Sequence, residues 1–242
     1  MKILDIKVDN MPKKEILQRV VDFLSENKFH QIATVNPEFI LQAQKDEKFK
    51  NILNSCDLNI ADGTGIWFAL LRYGKFLKAR MAGADLMEEI LSLASSNNHP
   101  IFLVTNNKSL STWEETRAAI LKKYPRLTIG GSNINNNSSY LPTGQAGELL
   151  VTSYNIVFCS FGAPDQEIFI DSLKTLKDSK IKLAMGVGGS FDFLTGKIKR
   201  APGCIRKAGL EWLWRFLQEP TYRAKRIFNA TIVFPIKIIF NK

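Results

Sequence analysis

Seven strand-sized apolar runs punctuate the chain: "KILDIKV", "HQIATV", "CDLNIA", "PIFLVT", "LTIGG", "NIVFCSF" and "IKLAMGV". Several of them lack the alternation of apolar and polar residues that a strand with one wet face shows. A strand that is apolar at consecutive positions must be covered on both faces, and a parallel sheet sandwiched between helices provides that cover. The intervening segments supply the helices. "PKKEILQRVVDFLSEN" opens with Pro12 near its first turn, "AGADLMEEILSLASSN" repeats apolar residues at three and four spacing, and "SLSTWEETRAAILKKY" begins with a serine cap ahead of a glutamate. This alternation predicts an α/β protein with a doubly wound, mostly parallel, Rossmann-like sheet. The Asn/Ser-rich "GSNINNNSSYLPTG" reads as a long polar loop within the domain. Strand signals stop before Ala201, so the expected division is an α/β domain over residues 1–200 and a basic, amphipathic helical appendage over 201–242.

Charge gives that appendage its character. The net charge is +10, and residues 193–242 hold 11 Lys and Arg against two acids, Glu211 and Glu219. The rest of the chain is therefore nearly neutral. The terminal "RAKRIFNATIVFPIKIIFNK" is interrupted by Pro235 and Lys237 and is too short in its apolar run to span a bilayer, which takes about 20 residues. Two readings remain. The segment lies in the interface of an anionic membrane, with apolar side chains among the acyl chains and cations on the headgroups, or it packs on its own domain with a solvated basic face. Three cysteines without a C-x-x-C spacing argue for a reducing compartment, and the N-terminus lacks the apolar core of a signal peptide. A cytoplasmic location is expected. His30 and His99 each stand beside a strand start and read as structural, so a histidine metal site or triad is not expected.

In doubly wound sheets ligands bind at the carboxyl ends of the strands. Four such ends are chemically unusual: Asn36-Pro37-Glu38, Asp62-Gly63-Thr64-Gly65, Gly162-Ala163-Pro164-Asp165-Gln166-Glu167 and Gly188-Gly189-Ser190-Phe191-Asp192. Glycines at strand-to-helix turns let backbone N–H groups approach a phosphate, which makes Gly63, Gly65, Gly186, Gly188 and Gly189 candidate nucleotide contacts. "DGTGIWF" with Asp85 about twenty residues on also suggests the dinucleotide fingerprint of an oxidoreductase. Phe68 at the third glycine position and an aspartate that would repel the pyrophosphate speak against it. Asp62 is either the cap of a helix starting near Thr64 or a general base aimed into the cleft. The basic composition raises a third class, a non-catalytic nucleic-acid binder. Trp212 and Phe216, four apart, read instead as the packed face of a helix, and no nucleic-acid partner is expected.

Five motifs in order, "ATVNPEF", "ADGTGI" with "RMAGADLM", "FGAPDQE", "GVGGSFDFLTGKIKRAP" and "GLEWLWRFLQEPTYRAKR", span nearly the whole chain and closely resemble the WecG/TagA/CpsF family of bacterial glycosyltransferases. The resemblance implies transfer of an N-acetylmannosamine-type sugar from UDP to a sugar on a membrane polyprenyl diphosphate, with inversion, without a metal or other cofactor, at the inner face of the cell membrane. It implies that Asp62 is the catalytic base, that Thr34 and Asn36 lie near the donor sugar, and that Arg80 meets the donor diphosphate or steadies the leaving group. Gln166 would line the cleft, and Arg215, Arg223 and Arg226 would be brought over it by the appendage. Oligomeric state is left open. The absence of any Asp-x-Asp agrees with the expected lack of a metal, and arginine would then carry the charge of the departing UDP. One departure concerns the end of the fourth strand. "LVTNNKSL" places Asn106 and Asn107 where relatives have a glycine-rich turn, so these residues must supply side-chain hydrogen bonds or adopt left-handed backbone.

Overall fold

The structure, a computed structural model, describes residues 1–134 and 151–240. Its core is a six-stranded parallel sheet in the order β4 (Leu58–Ala61), β3 (His30–Val35), β8 (Leu183–Gly186), β7 (Ile156–Cys159), β5 (Ile101–Asn106), β6 (Ile129–Ile134). All five pairings are parallel. The first apolar run does not join this sheet. Leu4 and Asp5 both take left-handed backbone, folding "KILDIKV" into a small antiparallel hairpin of β1 (Lys2–Ile3) and β2 (Ile6–Lys7).

Both faces of the sheet are covered, as the continuous apolar runs demand. Ile32, Leu58, Ile60, Phe158 and Met185 meet α1 (Lys13–Ser25), α5 (Gly83–Asn97) and α6 (Trp113–Lys123) on one face. Ala33, Val35, Val157 and Ala184 point to the other face, toward α2 (Pro37–Ala43), α3 (Glu47–Ser55), α4 (Thr64–Arg72) and helix Asp165–Ser172. Local signals set the helix ends. Asn36 caps α2 by accepting from the Glu38 and Phe39 N–H groups, and α6 starts with a capping box between Thr112 and Glu115, so a threonine rather than the expected serine is its cap. Residues 131–134 of the expected polar loop belong to β6, which pairs with β5 through Ile134; residues 135–144 lie outside the described residues.

Beyond β8 the chain is helical: Ser190–Thr195, Gly203–Lys207, Glu211–Gln218, Pro220–Phe228 and Phe234–Phe240. The terminal segment packs on its own domain along one side and leaves apolar residues uncovered on the other. Phe234 and Ile238 are fully buried with Val35, Phe39, Ile66 and Leu70, whereas Ile232 and Ile236 are about half exposed. Among the described residues no helix is long and apolar enough to cross a membrane.

Candidate active site

The carboxyl ends of β4, β3, β8 and β7 open side by side, and Asp62 stands at the first of them. Its backbone N–H donates to the Val35 carbonyl at 2.8 Å, extending the β3–β4 ladder by one residue. The helix α4 that follows begins at Thr64 with Gly63 as its cap, in left-handed backbone. Asp62 thus sits one residue outside the capping position. Its carboxylate accepts instead from the N–H of Gly83, at the start of α5. That answers the question left by the sequence: Asp62 is not the cap of α4. Burial pushes its carboxyl up to about 6, Glu211 adds to the rise, and the Gly83 N–H, Arg215 and Arg80 oppose it. A carboxylate raised into this range is ionised at neutral pH and is a stronger base than an ordinary aspartate.

Arg215 faces Asp62 from helix Glu211–Gln218. Its guanidinium stacks on Phe193 at 4.9 Å and lies over the turn after β8, where a Cβ on Gly189 would come within 2.8 Å of it. Burial, with Arg223 and Arg226 nearby, lowers its pKa to about 10, against the pull of Glu219 and Glu211. It stays charged at neutral pH, and its buried Nε has no hydrogen-bond partner among the described residues. Arg223 is held by Glu219 at 2.8 Å with its side chain 11% exposed. Thr34, at the end of β3, touches the space a Cβ on Gly83 would occupy, so it lies against the same amide that holds Asp62. Arg80 is exposed, donates to the Arg206 carbonyl, and abuts Gly209 of the appendage. Asp62, Thr34, Arg80, Arg215 and Gly189 are thereby gathered around one opening.

Other residues singled out from the sequence have packing duties. Gln166 is buried; its Oε1 accepts from Gly162 N (3.1 Å) and Gly188 N (3.2 Å), and its Nε2 donates to Glu167 (2.7 Å). It ties the turns after β7 and β8 together. Burial raises the Glu167 carboxyl to about 8, so the group that accepts from Gln166 is largely neutral at pH 7. A Cβ on Gly186 would strike Gln166 and Glu167, and one on Gly65 would strike Pro37, so both glycines permit close packing. Gly188 has left-handed backbone and open space around it. Asn36 spends its oxygen on the α2 cap. Arg226 forks onto Glu38 at 2.6 and 2.9 Å, strapping the appendage to the turn after β3. Asn106 closes its own turn, accepting from Lys108 N and Ser109 Oγ at 3.0 Å, and neither it nor Asn107 is left-handed.

Three participants escaped the sequence reading. Glu38 stands in "ATVNPEF" yet its partner lies 188 residues away. Asp85, considered as a ribose acid, is held by Arg200 (2.8 Å) and Arg206 (3.3 Å) and so fastens the appendage instead. Gly209, a glycine inside a basic helical stretch, was the available signal for close approach, and it packs on Arg80 and Thr64. Trp212 was expected to be packed against the domain with Phe216; it is 37% exposed, and Phe216 is half-buried. Among the described residues no group of three or more His, Cys, Asp or Glu is placed to hold a metal ion.

A raised carboxylate beside guanidinium groups, at the carboxyl edge of a doubly wound sheet, has the makings of a group-transfer site, and the chain is a glycosyltransferase. It belongs to the glycosyl transferase WecG/TagA/CpsF family, whose model matches residues 1–242. Two relatives carry the name N-acetylglucosaminyldiphosphoundecaprenol N-acetyl-beta-D-mannosaminyltransferase. That of Bacillus spizizenii is 30% identical over 200 residues, covering 82% of this chain and 75% of the relative. That of Bacillus subtilis strain 168 is 30% identical over 220 residues, covering 88% and 82%.

Proposed function

We propose that the chain moves an N-acetylmannosamine-type sugar from UDP to a sugar on polyprenyl diphosphate, with inversion and without a metal, in bacterial cell-wall or surface polysaccharide synthesis. The observation that carries the reading is Asp62, a base raised to about 6 between Arg215 and Arg80. The relatives' printed name, which specifies both a mannosaminyl group and a diphosphoundecaprenol acceptor, supports the substrate class. Asp62 removes the proton of the acceptor hydroxyl as its oxygen bonds to the anomeric carbon. The bond from that carbon to the β-phosphate oxygen breaks on the opposite side and UDP takes the electron pair. Arg215, with Arg223 behind it, meets the charge that develops there, the task a metal performs in other transferases. Thr34, which lies against Gly83 near Asp62, contacts the sugar in this reading. Phe228, Ile232 and Ile236, exposed beside Lys225 and Lys237, suit the surface of an anionic membrane on the cytoplasmic side, where the acceptor lies.

The test is a panel of UDP-sugars with a short-chain lipid diphosphate acceptor, reading released UDP and the anomeric configuration of the product. Release with UDP-N-acetylmannosamine, inversion, and a rate unchanged by EDTA are expected. No release with any donor, a retained configuration, or a chelated enzyme rescued by Mg²⁺ or Mn²⁺ overturns the corresponding part of the proposal.

A further inference from the structure

Under this reading two diphosphates meet at one site, that of the leaving UDP and that of the acceptor. The following inference rests on it. Along the carboxyl edge the strand order is β4, β3, β8, so Asp62, Thr34 and the Gly188–Gly189 turn beneath Arg215 follow one another in a line. From β4 to β8 is two strand spacings, roughly 10 Å, room for one sugar ring between base and diphosphate. Displacement in line brings the acceptor hydroxyl to the side of the anomeric carbon away from the departing phosphate. With the donor diphosphate at Arg215, the acceptor enters past Asp62, from the outer side of β4.

That side has a cation of its own. Met81 donates from its backbone to the carbonyl of Ala61, the last residue of β4, at 3.3 Å, which fixes Arg80 beyond the base. The Arg80 guanidinium touches Gly209, itself in contact with Thr64 at the start of α4, and no carboxylate among the described residues forms an ion pair with it. Lys207, exposed, follows the Arg206 whose carbonyl receives the Arg80 N–H. From Thr64 the helix α4 carries Trp67 and Leu71 at positions three and seven residues on, hence on one side, and they are 50% and 36% exposed. Next to Gly209, Leu210 is 41% exposed. A cationic head followed by an uncovered apolar strip matches, in the same order, a diphosphate followed by a polyprenyl chain.

We propose that Arg80, with Lys207 beside it, binds the acceptor's diphosphate, and that Trp67 and Leu71 hold the first isoprene units, a subsite separate from that of the donor diphosphate. The assignment moves Arg80 from the leaving group to the entering substrate. Its positive charge also lies close enough to Asp62 to favour the ionised base.

The test compares Arg80→Ala, Arg80→Lys and a Trp67→Ser, Leu71→Ser double variant with the wild type. Each is assayed for acceptor KM, for UDP affinity by calorimetry, and for direct binding of farnesyl diphosphate. Arg80→Ala is expected to raise acceptor KM and weaken farnesyl diphosphate tenfold or more while UDP affinity stays within twofold, with partial recovery in Arg80→Lys. The double variant should weaken farnesyl diphosphate similarly but leave inorganic diphosphate binding unchanged. If Arg80→Ala weakens UDP and spares the acceptor, the arginine serves the donor and the inference is wrong. If the double variant binds farnesyl diphosphate like the wild type, the apolar strip is not a lipid subsite. Farnesyl diphosphate binding that depends on Arg80 supports the inference even should the transfer reaction prove to be a different one, so the two readings fail separately.

Discussion

Replacing Asp62 by asparagine should make the protein a far poorer catalyst and a more stable molecule. The unperturbed carboxyl titrates near 3.8, and in the folded protein burial and Glu211 raise it to about 6. The folded state thus binds the proton more tightly than the unfolded chain. Stability linked to this group is fully present below pH 4 and is lost as pH rises through 6. A shift of about two units, at 1.36 kcal/mol each, sets the cost of the charged form near 3 kcal/mol at pH 7.5, an upper figure because water reaches the cleft. Asparagine keeps the shape without the charge, so Asp62→Asn should gain up to about 3 kcal/mol, roughly 6–12 °C in Tm for a chain this long. The gain should shrink toward zero between pH 7 and pH 4. Turnover should fall by ~10²-fold or more, and wild-type kcat/KM should climb with pH through about 6 to a plateau. Melting curves at a series of pH values, alongside UDP-release rates, read both effects. A Tm difference that does not change with pH, or a variant that keeps its turnover, would refute the assignment of a strained, buried base.

Gly189→Ala places a methyl group 2.8 Å from the Arg215 guanidinium, whose long side chain can yield. Stability should change little while kcat falls by about tenfold or more, since small misplacements of a charge-stabilising group are costly; full turnover would show that Arg215 need not lie over that turn. Phe234→Ala empties a fully buried position and should cost about 3–5 kcal/mol, measured by urea unfolding, whereas Ile236→Ser on the exposed side should cost under about 0.5 kcal/mol and reduce sedimentation with anionic vesicles. Equal losses in the two would mean the final helix does not divide its faces as described.

The sheet was legible because its signal is redundant: several separate apolar runs declare coverage on both faces, and the carboxyl ends of the strands nominate the site. The N-terminal run misled because two left-handed residues, Leu4 and Asp5, turn it back on itself; aspartate tolerates that backbone, but a leucine beside it inside an apolar run gives no sign of a turn. Within the site, Asp62 and Arg215 could be singled out by type and motif, but their environment could not. The Glu211 that helps raise Asp62 and the Glu38 that holds Arg226 are distant in sequence, so no local pattern pairs them. Glycine was the most ambiguous residue. Gly65 and Gly186 look like phosphate-binding turns in sequence, and only the positions of Pro37, Gln166 and Glu167 reveal that tight packing is a sufficient reason for them.

The order β4-β3-β8-β7-β5-β6 has a kinetic meaning. Strands β3 and β4 can pair as soon as they are made, and β5, β6 and β7 can form a second group, but only β8 joins the two. Until residues 183–186 have been synthesised and inserted, the nascent chain consists of two incomplete half-sheets with their inner edges unpaired and open to wrong partners. Such a long-range closure is slow compared with local helix formation and exposes the chain to aggregation while it waits. The Gly188–Gly189 turn follows directly on that strand. The β8 end of the cleft is therefore built only in the late event that completes the sheet, and Arg215, which lies over the turn after β8, docks after it.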